Sequence, residues 1–266
     1  MLWWSRVLGC IVFMMASGTG AWAQTPLPRA HAHNDYEHAR PLFDALEQGF
    51  CGVEADIWLV NGELLVAHDL KDVKPERTLE ALYLAPLQRR VQAGGGRVFP
   101  GTNEFSLMID FKSEAAGTYA VLKPLLERYR GMLTRYTATN VTPGAVTVIL
   151  SGSRPIAEVQ AQAERWCGVD GRLSDLKANP SPFLMPWVSD SWRPTFPWFT
   201  DGRMLPADRA RLDALVREAH AQGRRIRFWG LQDQEFVWRE LFDAGVDLIN
   251  TDKLAELRKF MESRPK

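Results

Sequence analysis

The chain is 266 residues long and 46% apolar, and its 32 Lys+Arg are matched by 32 Asp+Glu. Such a length suits one large α/β domain, and so even a charge balance gives no reason to expect nucleic acid or an anionic membrane as partner. With three cysteines and no C-x-x-C, a clustered structural zinc site is excluded on spacing.

Residues 1–23 carry a short n-region with Arg6, an apolar run over 7–16, and small or polar residues ending in Ala21-Trp22-Ala23 before Gln24. This is the layout of a secretory signal peptide with an A-x-A cleavage site, and the apolar run is well short of the roughly 20 residues a spanning helix needs. The expectation is an exported protein, periplasmic or secreted, working as a monomer over 24–266 without a stable membrane anchor. Cys51 and Cys167 stay in that domain, where they either pair or stand as two separate buried thiols.

From Arg29 onward strand-like and helix-like segments alternate. Apolar runs at 50–60, 105–111, 146–150, 183–188, 225–229 and 246–251 predict strands, and helical spacing marks 40–48, 116–130, 156–165, 207–222 and 235–244. Gly49 and Gly223 follow two of these helices as C-caps. Alternation of this kind favours a parallel sheet with helical crossovers, and about 250 residues is the usual size of a (β/α)8 TIM-type barrel. Asn61-Gly62 between two apolar runs predicts a hairpin that returns the chain and carries His68 toward the end of the second strand. Residues 180–197, rich in Pro, Trp and Ser, read as a rim loop over a site.

Glu54 and Asp56 are two apart on a strand, so both carboxylates share one face while Val53, Ala55 and Ile57 face the helices. Asp110 and Lys112 repeat that spacing on the next apolar strand. Acids on the inner face of a barrel are costly unless a cation is present, and three converging carboxylates make a hard oxygen site for Mg²⁺ or Ca²⁺ rather than zinc. The plainer reading is an internal salt-bridge network with Lys112, Arg225 or Arg227. His33 and His68 each follow a strand, where barrel enzymes keep reactive groups, and an imidazole pair can act as base and acid near neutral pH.

Ala32-His33-Asn34-Asp35-Tyr36, Gly52-Val53-Glu54-Ala55-Asp56 and Val66-Ala67-His68-Asp69, in this order, resemble the opening signature of the glycerophosphodiester phosphodiesterase and phospholipase C-like superfamily. Asp110-Phe111-Lys112 is closer to the Asp-x-Lys of the sphingomyelinase D branch than to the E-x-K of typical glycerophosphodiesterases. Ser151-Gly152-Ser153-Arg154-Pro155, Asp170-Gly171-Arg172, Arg227-Phe228-Trp229 and 245–252 are similar to later segments of phospholipase C-like phosphodiesterases, so the likeness spans nearly all of 24–266.

The resemblance implies a phosphoric diester hydrolase acting on a small-molecule or lipid-headgroup phosphodiester. It implies one divalent cation, Mg²⁺ or Ca²⁺, on Glu54, Asp56 and Asp110, with His33 and His68 as the acid–base pair and Lys112 facing the phosphate. Asn34 stands where glycerophosphodiesterases commonly carry an arginine; it can donate a hydrogen bond, and Lys112 or Arg227 can supply the charge. Trp229, two residues after Arg227, should share its inward face, and Trp192, Trp198 and Trp229 could wall an alcohol or lipid headgroup. Two rivals stand beside this reading. One is a zinc amidohydrolase-like barrel using the H-x-H of His31 and His33, although later strands offer few further imidazoles. The other is a non-catalytic carbohydrate-binding barrel built on its tryptophans.

Overall fold

A computed structural model describes residues 24–102, 105–196 and 202–264. The signal peptide expected over 1–23 and Trp198 lie outside the described residues. Eight parallel strands form the centre: β1 Leu27–Ala32, β2 Phe50–Val60, β3 Ser106–Phe111, β4 Thr147–Gly152, β5 Gly168–Gly171, β6 Trp187–Ser191, β7 Arg225–Trp229 and β8 Ile249–Thr251. They are hydrogen-bonded in chain order from β1 to β7, and β8 pairs back onto β1. The seam between β7 and β8 closes through the parallel bridge of Arg227 with Leu248 and the bond from Asp247 N to Ile226 O, 3.1 Å. This is the expected TIM-type barrel.

Helices cover the outside: α1 Phe43–Glu47, α2 Ala85–Ala93, α3 Ala115–Arg128, α4 Ile156–Gln160, α5 Leu173–Ala178, α6 Trp192–Thr195, α7 Pro206–Ala221, α8 Glu235–Ala244 and α9 Leu254–Glu262. Strand alternation divides the core. Leu107, Ile109 and Phe111 of β3 and Val148 and Leu150 of β4 point outward into the large layer between sheet and helices. Met108, Ile149, Trp187 and Leu248 point inward and fill the barrel with a small apolar plug. Two residues further along the same four strands, the inward positions become Asp110, Ser151, Ser189 and Asn250. The barrel is therefore packed with apolar side chains below and lined with polar ones toward the C-terminal ends of its strands, the end where such barrels carry their sites.

The Asn61-Gly62 hairpin is present. Val60 pairs antiparallel with Glu63 at the start of the return strand Glu63–Val66, and Asn61 and Gly62 both take positive φ, 50° and 83°, as a two-residue turn of primed type requires. Gly49 and Gly223 also sit at positive φ behind α1 and α7, and a Cβ on Gly49 would lie 2.3 Å from Thr25 O.

Other elements differ from their sequence spacing for local reasons. The helix read over 40–48 begins only at Phe43, because the buried Asp35 carboxylate accepts from Leu42 N at 2.6 Å and Leu42 takes φ 66°. The helix read over 156–165 stops at Gln160, and Glu164–Arg165 instead pairs with Arg135–Thr137 in a small side sheet. β6 starts at Trp187 rather than 183, since Leu184 N and Met185 N both bond Ser181 O in a turn. The expected rim loop over 180–197 thus holds a barrel strand and α6. Trp192 is fully buried there, its ring 4.4 Å from Phe196 and 5.4 Å from Phe228, so it belongs to the core rather than to a substrate wall. Cys51 and Cys167 are two separate buried thiols.

Candidate active site

Barrel strands β2, β3, β4 and β7, with the segments that follow β1, β5 and the hairpin, converge on one cavity of about 480 Å³ at the C-terminal end of the barrel. Its lining includes His33, Asn34, Glu54, His68, Asp110, Lys112, Arg227 and Trp229, all of them singled out by the sequence pattern. Asp56 lies two residues beyond Glu54 on the same face, and the parallel register sets Asp56 beside Asp110. Carboxylate oxygens of Glu54, Asp56 and Asp110 lie within 4.8 Å of one another.

Each acid is held differently. Glu54 Oε2 accepts from Arg227 Nη1 at 2.9 Å and lies 3.4 Å from His31 Nε2. Burial opposes its charge, but the guanidinium and the imidazole contact outweigh burial and hold the carboxyl below its ordinary range. Asp56 Oδ2 accepts from Tyr36 OH at 2.7 Å, lies 3.1 Å from His68 Nδ1 and pairs with Lys112 Nζ at 2.9 Å. The same ammonium reaches Asp110 Oδ1 at 2.9 Å. Burial, and then the charge of Glu54, raise the Asp56 carboxyl against the pull of Lys112, while Asp110 and Asp56 raise the Lys112 ammonium despite its burial. Both members of one ion pair are raised, Asp56 chiefly by burial and Lys112 by the two carboxylates it bridges.

A divalent cation fits this donor set. All the donors are hard oxygens, and the buried Asp56 Oδ1 has no hydrogen-bond partner among the described residues. His31 does not join His33 in a shared ligand pair. His31 is fully buried, with Nε2 between Glu54 and Arg227 Nη1 at 3.1 Å, and burial lowers its pKa to about 4. His33 turns its Nδ1 the other way, to Asp252 Oδ1 at 3.0 Å. Burial disfavours the charged form of His33, but the Asp252 bond and the charge of Glu54 outweigh it and raise the imidazole.

The AIM6-like phosphodiesterase domain model matches residues 24–166, and the glycerophosphoryl diester phosphodiesterase family model matches 225–255. The chain belongs to the AIM6-like phosphodiesterase family. It is 32% identical to Altered inheritance of mitochondria protein 6 of Eremothecium gossypii over 88% of this chain and 69% of that relative. It is 28% identical to the homologue of Arthroderma benhamiae, over 85% and 81%. The fold matches an Oleispira antarctica phosphodiesterase solved with the product sn-glycerol-3-phosphate, at TM-score 0.54 and 14% identity over 89% and 98% of the two chains. It also matches a glycerophosphodiester phosphodiesterase of Agrobacterium tumefaciens at TM-score 0.54 and 14% identity, over 89% and 100%.

In this AIM6-like barrel several neighbours of the site escaped sequence reasoning. Tyr36 links three of the expected residues, reaching Asn34 Oδ1 at 2.9 Å and His68 Nδ1 at 3.3 Å as well as Asp56. Its only signal was its place in the first motif. Asp252, Ser151 and Arg172 fell within quoted segments but carried no spacing that tied them to the carboxylates. Arg227 and Trp229 both line the cavity, as their shared strand face requires, but Arg227 is 4% exposed and engaged by Glu54, whereas Trp229 is 40% exposed at the mouth.

Proposed function

We propose that this chain is an exported phosphoric diester hydrolase for a glycerophosphodiester or phospholipid-type substrate, using one divalent cation, Mg²⁺ or Ca²⁺, on Glu54, Asp56 and Asp110. The observation that carries the reading is the convergence of those three carboxylates with His33 and His68 in one cavity. The product named for the Oleispira relative, sn-glycerol-3-phosphate, supports a small phosphodiester as the substrate class. Export rests on the sequence of residues 1–23.

Bound there, the cation supplies neutralisation of phosphoryl charge and acidification of a hydroxyl it touches. The chain's own residues do the rest. Asp252 holds His33 at Nδ1, and Asp56 and Tyr36 hold His68 at Nδ1, so both imidazoles exchange protons at Nε2. One takes the proton of the attacking hydroxyl, and the other returns a proton to the leaving oxygen. Asn34, Lys112 and Arg227 supply donors around the phosphate, and Trp229 offers an apolar face to the alcohol portion. A panel of phosphodiesters, assayed with and without chelator on wild type, His33→Ala and Asp110→Asn, tests the reading. Turnover abolished by chelator and by both substitutions is expected; turnover indifferent to chelator and to His33→Ala would sink it.

A further inference from the structure

The cavity has a second wall that the acid–base scheme leaves unused. It is built from the ends of β4 and β5, where Ser151, Gly152, Ser153 and Arg172 line the same space as Asp110 and Lys112. β4 is pressed hard against the acid side. Ser151 is in register with Asp110, and a Cβ on Gly152, which takes φ 69°, would lie 2.5 Å from Asp110 Oδ1 and 2.4 Å from Phe111 O. Only a glycine permits that approach. One strand further along, the buried Asp170 accepts from Ser151 Oγ and from Arg172 Nη1, each at 2.9 Å. Arg172 Nη1 also donates to Gly171 O at 2.9 Å, and its backbone N is fixed by Asp175 Oδ2 at 2.8 Å.

Three cations line this cavity, and they are not equally available to a ligand. Lys112 bridges Asp56 and Asp110, both at 2.9 Å. Arg227 has its Nη1 on Glu54 and its side chain 4% exposed. Arg172 has its side chain 23% exposed and is gripped from behind, at Nη1. The contact of its Nη2 is the long one to Ser151 Oγ, 3.4 Å. A guanidinium clamped on one edge by a buried carboxylate, with its other edge toward a cavity, is pre-organised to bind an oxyanion.

We propose that Arg172 is the specificity-determining anion grip of this cavity, binding a non-bridging oxygen of the substrate phosphate, with Asp170 as the positioning residue that aims it. The phosphodiester identity of that anion rests on the function proposed above; the anion site does not. Parallel strands lie about 4.8 Å apart, so an oxyanion between the carboxylate side and Arg172 has roughly two strand spacings to fill, a distance that suits a phosphate.

The test titrates inorganic phosphate into the full chain by calorimetry, with and without Mg²⁺, and measures kcat and KM for bis(4-nitrophenyl) phosphate. Wild type is compared with Arg172→Lys, which keeps the charge but loses the fork, and with Arg172→Gln combined with Asp170→Asn, which removes both charges of the pair together. Phosphate affinity should fall about 10- to 100-fold in the double variant, the loss of a charge-assisted pair, and by less in Arg172→Lys. KM should rise by more than kcat falls. Unchanged phosphate affinity in both variants overturns the proposal; if the double variant does not fold, unchanged affinity and KM in Arg172→Lys overturn it alone. Phosphate binding that depends on Arg172 in a wild type without diester turnover upholds the anion site while refuting the phosphodiesterase reading.

Discussion

The two halves of the barrel mouth are built from opposite chemistries. On the β1–β3 side, Glu54, Asp56 and Asp110 crowd together with Lys112 as the ammonium between two of them, and His33 and His68 stand above. On the β4–β7 side the inward positions are hydroxyls and guanidinium groups, with Asp170 buried beneath Arg172 and Ser151. The first half has more negative charge than its own cations neutralise, and the second presents positive charge to the same cavity. A cation for one half and an anion for the other satisfy both, which is what a cation-assisted phosphodiester reaction requires. Arg227 ties the halves together, crossing from β7 to Glu54 on β2.

That crossing contact gives the largest expected effect. Arg227→Met leaves Glu54 buried without its cation, so unfolding free energy should drop by about 3–5 kcal/mol in chemical denaturation. A drop under about 1 kcal/mol, the value of an exposed pair, would show that the halves are not coupled this way. Asp110→Asn acts on the acid half alone; diester turnover should fall about 10²–10³-fold with the fold intact by circular dichroism.

Asp35, behind the acid half, is held by Leu42 N and Tyr83 OH rather than by a cation, and burial raises its pKa from 3.8 to about 6. The folded chain therefore holds that proton more tightly than the unfolded chain. Its contribution is full below about pH 4 and is lost as pH rises through 6, about 3 kcal/mol in all. The stability difference between wild type and Asp35→Asn, followed by denaturation from pH 4 to 7, should shift by that amount, and a flat difference would contradict it. Smallest is Asp252→Asn, which replaces the carboxylate behind His33 with a neutral amide. Turnover should fall about tenfold and the pH–rate profile should move to lower pH, since the charge that raises His33 is gone. An unmoved profile would make Asp252 a bystander.

Much of the acid half was legible in the sequence. The two-residue spacing of Glu54 and Asp56 sets both inward, and Asn61-Gly62 brings His68 back to within 3.1 Å of Asp56. In the opposite half β4 and β7 were legible but β5 and Arg172 behind it were not, because β5 is Gly168–Gly171, four residues with two glycines and no apolar run. Arg227 was placed on the correct face, but its engagement with Glu54, 173 residues away, is a product of barrel closure that spacing along one strand cannot reveal. The H-x-H of His31 and His33 pointed to a shared ligand pair, yet one imidazole turns to Glu54 and the other to Asp252. Trp192 looked like a wall residue only because the end of β6 beyond 188 and the short helix that Trp192 itself begins read as loop.

The central claim is that the acid half holds a divalent cation through its carboxylates. Calorimetric titration of Mg²⁺ and Ca²⁺ into wild type, Asp110→Asn and His33→Ala tests it most directly. One ion per chain should bind to wild type and to His33→Ala, and binding should be lost in Asp110→Asn. Ion binding that survives Asp110→Asn, or zinc uptake that requires His33, would contradict the account.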